Sequence, residues 1–178
     1  LINGKSGIKR ITKFNTDNFE CKIAGEISEF NPEDYGISKK DEKRMDKFSL
    51  YGQVATELAL RESGLDLSGI EDRVGIVIAT GIGGLTTMES QKERLMEKGP
   101  GKVSAFLVTN LMPNAVCGNV SIKHHLKGIG YSVNSACASG NQAIVCGMQN
   151  ILLNDADVVL SGGAEATITE LAISGFTN

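Results

Sequence analysis

An alternation of strand and helix signals constrains this chain more than any other feature. Val74-Gly75-Ile76-Val77-Ile78-Ala79 is a short, uninterrupted apolar and β-branched run, the pattern of a strand buried on both faces. A glycine turn follows at Gly81-Ile82-Gly83-Gly84, then a polar helical stretch over 85–98 that ends at Gly99-Pro100-Gly101. A second helical stretch, 110–126, starts near Pro113, a residue suited to a helix's first turn. Gly128 and Gly130 punctuate the turn into an expected strand over 131–135, which leads into a helix over 137–153. A buried strand over 156–160 follows, closed by Ser161-Gly162-Gly163, and then a short helix around 167–173. This order predicts an α/β fold with a parallel or mixed sheet covered by helices on both faces.

The first third is less regular. Apolar pieces over 1–37 are broken by Gly, Asn and Pro, with Cys21 to Ile27 the one expected strand. Ser38 begins a capped, charged stretch through Lys47, and Tyr51, Val54, Ala55 and Leu58 then recur with helical spacing until Gly64. In the helix over 137–153, Ala138, Ala143, Ile144, Val145, Met148, Ile151 and Leu152 do not share one stripe, so this helix is expected to be buried all round.

At 178 residues, the chain is long enough for one core, as a single domain or a piece of something larger. A net charge of −3 offers no basic footprint for nucleic acid, and no apolar run is long enough to cross a bilayer. A soluble protein is expected. Cys21, Cys117, Cys137 and Cys146 show neither C-x-x-C nor zinc spacing, which fits a reduced, intracellular setting. Leu1-Ile2-Asn3-Gly4 opens without an initiator Met or a targeting signal, which leaves room for residues upstream. Asn119-Val120-Ser121 matches a glycosylation triplet and is discounted, because nothing else looks secreted.

Three features bear on chemistry. Strand, glycine turn and helix at 74–98 form the order that cradles phosphate, but no acidic residue follows a second strand at the required distance, so an ordinary tight turn is the better reading. Cys137 sits where a strand gives way to a helix, between small residues. Partial positive charge at a helix N-terminus favours thiolate there, yet free Cys is also among the most buried residue types, and the local pattern does not separate nucleophile from core. His124 and His125 are adjacent, diverge by about 100° around a helix, and are placed on a solvated helix end; neither is an evident base for Cys137.

Ser135-Ala136-Cys137-Ala138-Ser139-Gly140, Asp155-Ala156-Asp157, Gly162-Gly163-Ala164-Glu165 and Gly175-Phe176 together resemble, in order and spacing, the β-ketoacyl-acyl carrier protein synthases of fatty acid synthesis. The glycine loop at 81–84, Gly4-Lys5-Ser6-Gly7-Ile8 and Arg44-Met45-Asp46 extend the resemblance over essentially the whole chain. It implies a thiolase-like α-β-α-β-α sandwich of which 1–178 is the N-terminal half, with the opening strand absent and the second half, including two catalytic histidines, a lysine and an oxyanion donor, beyond residue 178. His124 and His125 do not match that pair. Ile129 departs from the proline the family usually carries after Lys127-Gly128.

By the resemblance, Cys137 accepts an acyl group from acyl carrier protein and passes it to the carbanion of decarboxylated malonyl-carrier protein, and its N–H supplies half an oxyanion hole. Ile82 corresponds to the pocket gate of type II synthases. Val108 and Met112 match positions that reach across a homodimer interface, Phe176 an aromatic lining the site, and Ala136 a substrate-binding position. The resemblance further implies a cytoplasmic enzyme with no metal and no cofactor beyond the carrier's phosphopantetheine, with no nucleic-acid or membrane partner. A polyketide or thiolase-type condensing enzyme and a non-catalytic partner subunit are the alternatives; retention of Cys137 argues against the last.

Overall fold

The computed structural model describes residues 2–28 and 30–178; Leu1 lies outside the described residues. The chain forms two compact units, one of residues 32–166 and one of residues 1–31 with 167–178.

The larger unit is built on β3 (Val74–Ala79), buried along its whole length as its composition requires. It pairs in parallel with β4 (Gly130–Tyr131) on one side and β5 (Val158–Gly163) on the other, Val74 opposite Val158 through Ala79 opposite Gly163. Alternate residues of a strand face opposite ways. Ile76 and Ile78 meet Phe48 of α2 (Lys47–Ser63) and Val116 and Val120 of α5 (Ala115–His124), while Val77 and Ala79 meet Ala143 of α6 (Ser139–Leu152). The result is helix, sheet, helix: three of the five expected layers. Every strand pair in this sheet is parallel, and among the described residues the antiparallel pairing is that of the other unit.

The expected charged stretch from Ser38 is two elements. Ser38 caps the short α1 (Lys39–Glu42), accepting from the Asp41 N–H, and Asp46 starts α2 afresh by accepting from the Phe48 N–H at 3.1 Å. Asp46 is buried, and its second oxygen accepts from the Thr87 N–H at 2.7 Å in α3 (Leu85–Lys98), joining two helix starts. Gly64 ends α2 in the left-handed conformation, the usual role of a C-terminal glycine. The buried face of α2 runs through Phe48, Ser49, Gly52, Gln53 and Thr56, leaving Ala55 and Leu58 of the expected stripe exposed. Close approach decides this: a Cβ on Gly52 would stand 2.7 Å from Val116.

The helical stretch expected over 110–126 divides into α4 (Leu107–Leu111) and α5, with Met112, Pro113 and Asn114 between them. Ser161-Gly162-Gly163 continues β5 instead of closing it. Ile129, where the resembled family usually carries proline, accepts through its carbonyl from the Ile76 N–H at 2.8 Å and packs its side chain on Gly75.

The largest correction concerns α6. Only Ser139, Ala143 and Gly147 are buried, while Ile144, Val145, Met148, Ile151 and Leu152 are exposed. Small residues explain the asymmetry. Gly140 sits against Gly163, and a Cβ on Gly147 would run into Ser161 Oγ, so the helix lies close on β5 and its large side chains point the other way.

In the smaller unit, β1 (Ile8–Arg10) and β2 (Ile23–Gly25) pair antiparallel, the second within the expected Cys21 to Ile27. The terminal helix, α7 (Glu170–Thr177), starts later than expected because Thr169 caps it through the Ala172 N–H.

Candidate active site

The three parallel strands end on one edge of the sheet, the place where open α/β sheets bind ligands. Three loops meet there: 80–84 after β3, 132–138 after β4 and 164–166 after β5. Asn134 Nδ2 donates to the Thr80 carbonyl at 2.6 Å, and a Cβ on Gly81 would lie 3.5 Å from the Ala136 carbonyl. Glu165 closes the triangle, one oxygen accepting from the Gly81 and Ile82 N–H groups at 2.7 and 3.1 Å and the other from Thr80 Oγ1 at 3.0 Å.

Cys137 is exposed at the centre of a tight turn. Regular pairing stops at Tyr131, and α6 begins at Ser139, two residues later than expected. The turn explains both. Ala136 adopts φ 49°, a left-handed value that costs a residue with a side chain, and Ser139 compensates. Ser139 is 3% exposed, and its hydroxyl accepts from the Ser135 N–H at 2.9 Å and donates to the Ala136 carbonyl at 2.6 Å. The Ala138 and Ser139 N–H groups bond to the Ser135 and Ala136 carbonyls. The thiol is thereby presented on a hydrogen-bonded bend and is exposed to solvent.

The glycine loop is a tight turn, as read. Its amides face the Glu165 carboxylate, so the protein itself fills the position a phosphate would take. Gly83 has φ 91°, and a Cβ on Gly84 would collide with the Asn110 carbonyl, which requires glycine at both.

Of the expected site residues, Ile82 and Ala136 lie in the loops that meet at Cys137. Val108 on α4 is 64% exposed; Met112, just past α4, is exposed and near the glycine loop, where Gly84 N–H donates to the Leu111 carbonyl. Phe176, 75% exposed, belongs to α7 in the other unit. His124 is not on a solvated end: half-buried, its Nε2 lies 2.7 Å from Glu57, which also pairs with Lys123 at 3.0 Å. His125 caps α5 in the left-handed conformation. Asn119, of the discounted glycosylation triplet, donates to Ser49 Oγ. Among the described residues no group of three His, Cys, Asp or Glu could hold a metal, and no helix is long and apolar enough to cross a membrane.

The sequence reading assigned no role to Thr80, Asn134, Ser139 or Glu165. Glu165 stood in the quoted Gly-Gly-Ala-Glu run, but local spacing does not reveal a carboxylate that returns to a loop following β3.

The family profile described as Beta-ketoacyl synthase, N-terminal domain, matches residues 1–178. A 3-oxoacyl-[acyl-carrier-protein] synthase 2 of Staphylococcus aureus is 40% identical over 177 residues, 99% of this chain and 44% of that protein. Its counterpart in Vibrio cholerae is 41% identical over 99% of this chain and 42% of that protein. The chain thus spans less than half the length of these relatives. Among solved structures, a beta-ketoacyl synthase from Burkholderia phymatum superposes with a TM-score of 0.80 at 28% identity, over 98% of this chain and 43% of that one. A ketosynthase of a type II polyketide system, solved with its acyl-carrier protein, gives 0.76 at 28% identity over 84% of this chain and 43% of that one. The fold is that of the N-terminal half of the thiolase-like ketosynthases, as the resemblance implied. The chain belongs to the beta-ketoacyl synthase family, whose N-terminal domain it matches from its first residue to its last.

Proposed function

We propose that the protein carrying this chain is a type II condensing enzyme of fatty acid synthesis and that Cys137 is its acyl-accepting nucleophile. The observation that carries this reading is the exposed Cys137 thiol on a strained, hydrogen-bonded turn at the carboxyl ends of three parallel strands. Cys137 sulfur attacks the thioester of acyl-carrier protein; a new thioester forms, and the phosphopantetheine thiol of the carrier leaves. Malonyl-carrier protein then loses carbon dioxide, and its carbanion attacks the acyl carbonyl. The Cys137 thiolate departs, and 3-oxoacyl-carrier protein is the product. Dividing the condensation in this way replaces one hard step with easier ones. The backbone N–H of Cys137 forms half of the oxyanion hole, and the proton-handling histidines belong to the other half of the enzyme.

In this reading Ile82 gates the acyl pocket, Ala136 and Phe176 line it, and Val108 and Met112 close the partner's pocket across a homodimer interface. The exposure of Val108 and Met112 supports a partner surface. The only carrier of substrate is phosphopantetheine, no metal takes part, and a cytoplasmic location keeps the nucleophile reduced. Identity of 40–41% over nearly the whole chain to 3-oxoacyl-[acyl-carrier-protein] synthases supports a substrate carried on acyl-carrier protein, with polyketide condensation as the alternative.

The test is to incubate the full-length protein with acyl-carrier protein thioester and weigh the intact enzyme by mass spectrometry. Wild type gains one acyl mass on Cys137, and Cys137→Ala gains none. An acylated Cys137→Ala variant would sink the assignment.

A further inference from the structure

We propose that Glu165 is a positioning residue that determines which acyl chain lengths Cys137 accepts; this rests on the reading of Cys137 as the acyl acceptor. The argument starts from backbone accounting. Where β3 stops at Ala79, the N–H groups of the following loop lose their ladder partners, and buried or crowded amides require another acceptor. Glu165, just past the end of β5, supplies it. One oxygen bridges two consecutive N–H groups, those of Gly81 and Ile82, the geometry in which successive amides cradle an anion. The other accepts from Thr80 Oγ1, which in turn accepts from the Gly83 N–H at 3.1 Å. All four residues of the loop, 80–83, are therefore fixed directly or at one remove by a single carboxylate, through charge-assisted bonds that are stronger than neutral ones.

The clamped loop is also the one against which the Cys137 turn rests. Asn134, three residues before the thiol, is tied to the Thr80 carbonyl; a Cβ on Gly81 would be in van der Waals contact with the Ala136 carbonyl at 3.5 Å and crowd Glu165 at 2.9 Å. Ile82, next in the chain, projects a side chain that is 46% exposed, and its own N–H is one of the three donors. Glu165 thus sets where the bulk of Ile82 stands relative to Cys137 without touching the reacting atoms itself. With the clamp intact, the backbone that carries Ile82 is held in place, and the gate formed by its side chain discriminates between acyl chains by length. With the clamp loosened, the gate yields and longer chains gain on shorter ones.

In the full-length protein, kcat/KM for acylation of Cys137 is measured with a short-chain and a long-chain acyl-carrier thioester. Glu165→Ala changes their ratio about tenfold in favour of the long chain, the effect of one charge-assisted hydrogen bond. Glu165→Gln, which keeps one acceptor oxygen, falls between Ala and wild type. Thr80→Val, which removes one donor and leaves the carboxylate, moves the ratio the same way by less, and stands in should the Ala variant not fold. A residue that only supports the fold would lower both rates equally, so an unchanged ratio in these variants overturns the inference while leaving Cys137 as the nucleophile. A wild-type enzyme that no acyl thioester acylates overturns both.

Discussion

Ser139 Oγ lies 2.6 Å from the Ala136 carbonyl and 2.9 Å from the Ser135 nitrogen, so one buried hydroxyl spans the turn that presents Cys137. Ser139→Ala leaves that carbonyl and that N–H without this partner and removes the brace on a left-handed alanine. The expected cost is about 1–3 kcal/mol, read as a lower denaturation midpoint. Acylation of Cys137 should slow with it. A variant as stable as wild type would show that the turn is held by its backbone bonds alone.

Gly147 and Ser161 mark the closest approach of α6 to β5. Gly147→Ala places a methyl group on the Ser161 hydroxyl, and overpacking of this kind costs about 1–3 kcal/mol despite alanine's better helix propensity. Pairing it with Ser161→Gly should restore part of the loss. Urea denaturation of the two single variants and the double variant gives the coupling energy directly, and additive effects would contradict the contact.

How much of this was legible in the sequence follows from where the determinants lie. The Val74–Ala79 strand was readable because burial on both faces writes one uniform signal into six consecutive residues. Helix α3 was readable at both ends because glycines bound it. Helix α6 was misread because composition records how apolar a helix is, not which residues let a neighbour come close; the decisive ones, Gly140, Ala143 and Gly147, are the smallest nonpolar residues on it. Cys137 stood out through its small neighbours, whereas the Glu165 clamp is a long-range contact with no local trace.

Arg73 and Asp157 join the entry points of β3 and β5, with Arg73 Nη2 2.7 Å from the carboxylate and also bonded to Asn154. The hydrogen bond from Arg73 holds the Asp157 carboxyl below the usual aspartate range. A carboxyl depressed in the folded state contributes stability above its unfolded value and loses it as pH falls through the folded value. Wild type should therefore lose stability relative to Asp157→Asn as acid is added across the aspartate range. At neutral pH the gap should be modest, since the pair is largely exposed and salt-screened. Thermal melts of both proteins along a pH series check this, and parallel curves would contradict it.

Cys117 and Cys137 should differ sharply as thiols. Cys117 is buried on the sheet between β3 and β4, its sulfur accepting from the Ile78 N–H at 3.3 Å and donating to the Tyr131 carbonyl at 3.2 Å. Burial pushes its pKa up, and the Ile78 bond only partly offsets this, so the group stays a neutral thiol at pH values where an ordinary cysteine ionises. Alkylation needs thiolate and access, and Cys117 lacks both until the sheet opens. Cys137, exposed on its turn, meets the access requirement in the native state. With iodoacetamide and peptide mapping, Cys137 should be modified first, half-buried Cys21 and Cys146 later, and Cys117 last, at least about a thousandfold slower than in denaturant, in proportion to the small open fraction. Because a raised thiol pKa favours the folded state only below the unfolded value, alkaline pH should narrow the gap by destabilising the fold as the solution passes the ordinary thiol range. Native Cys117 reacting as fast as Cys137 would mean that the β3–β4 face opens readily, and the packing described for it would be wrong.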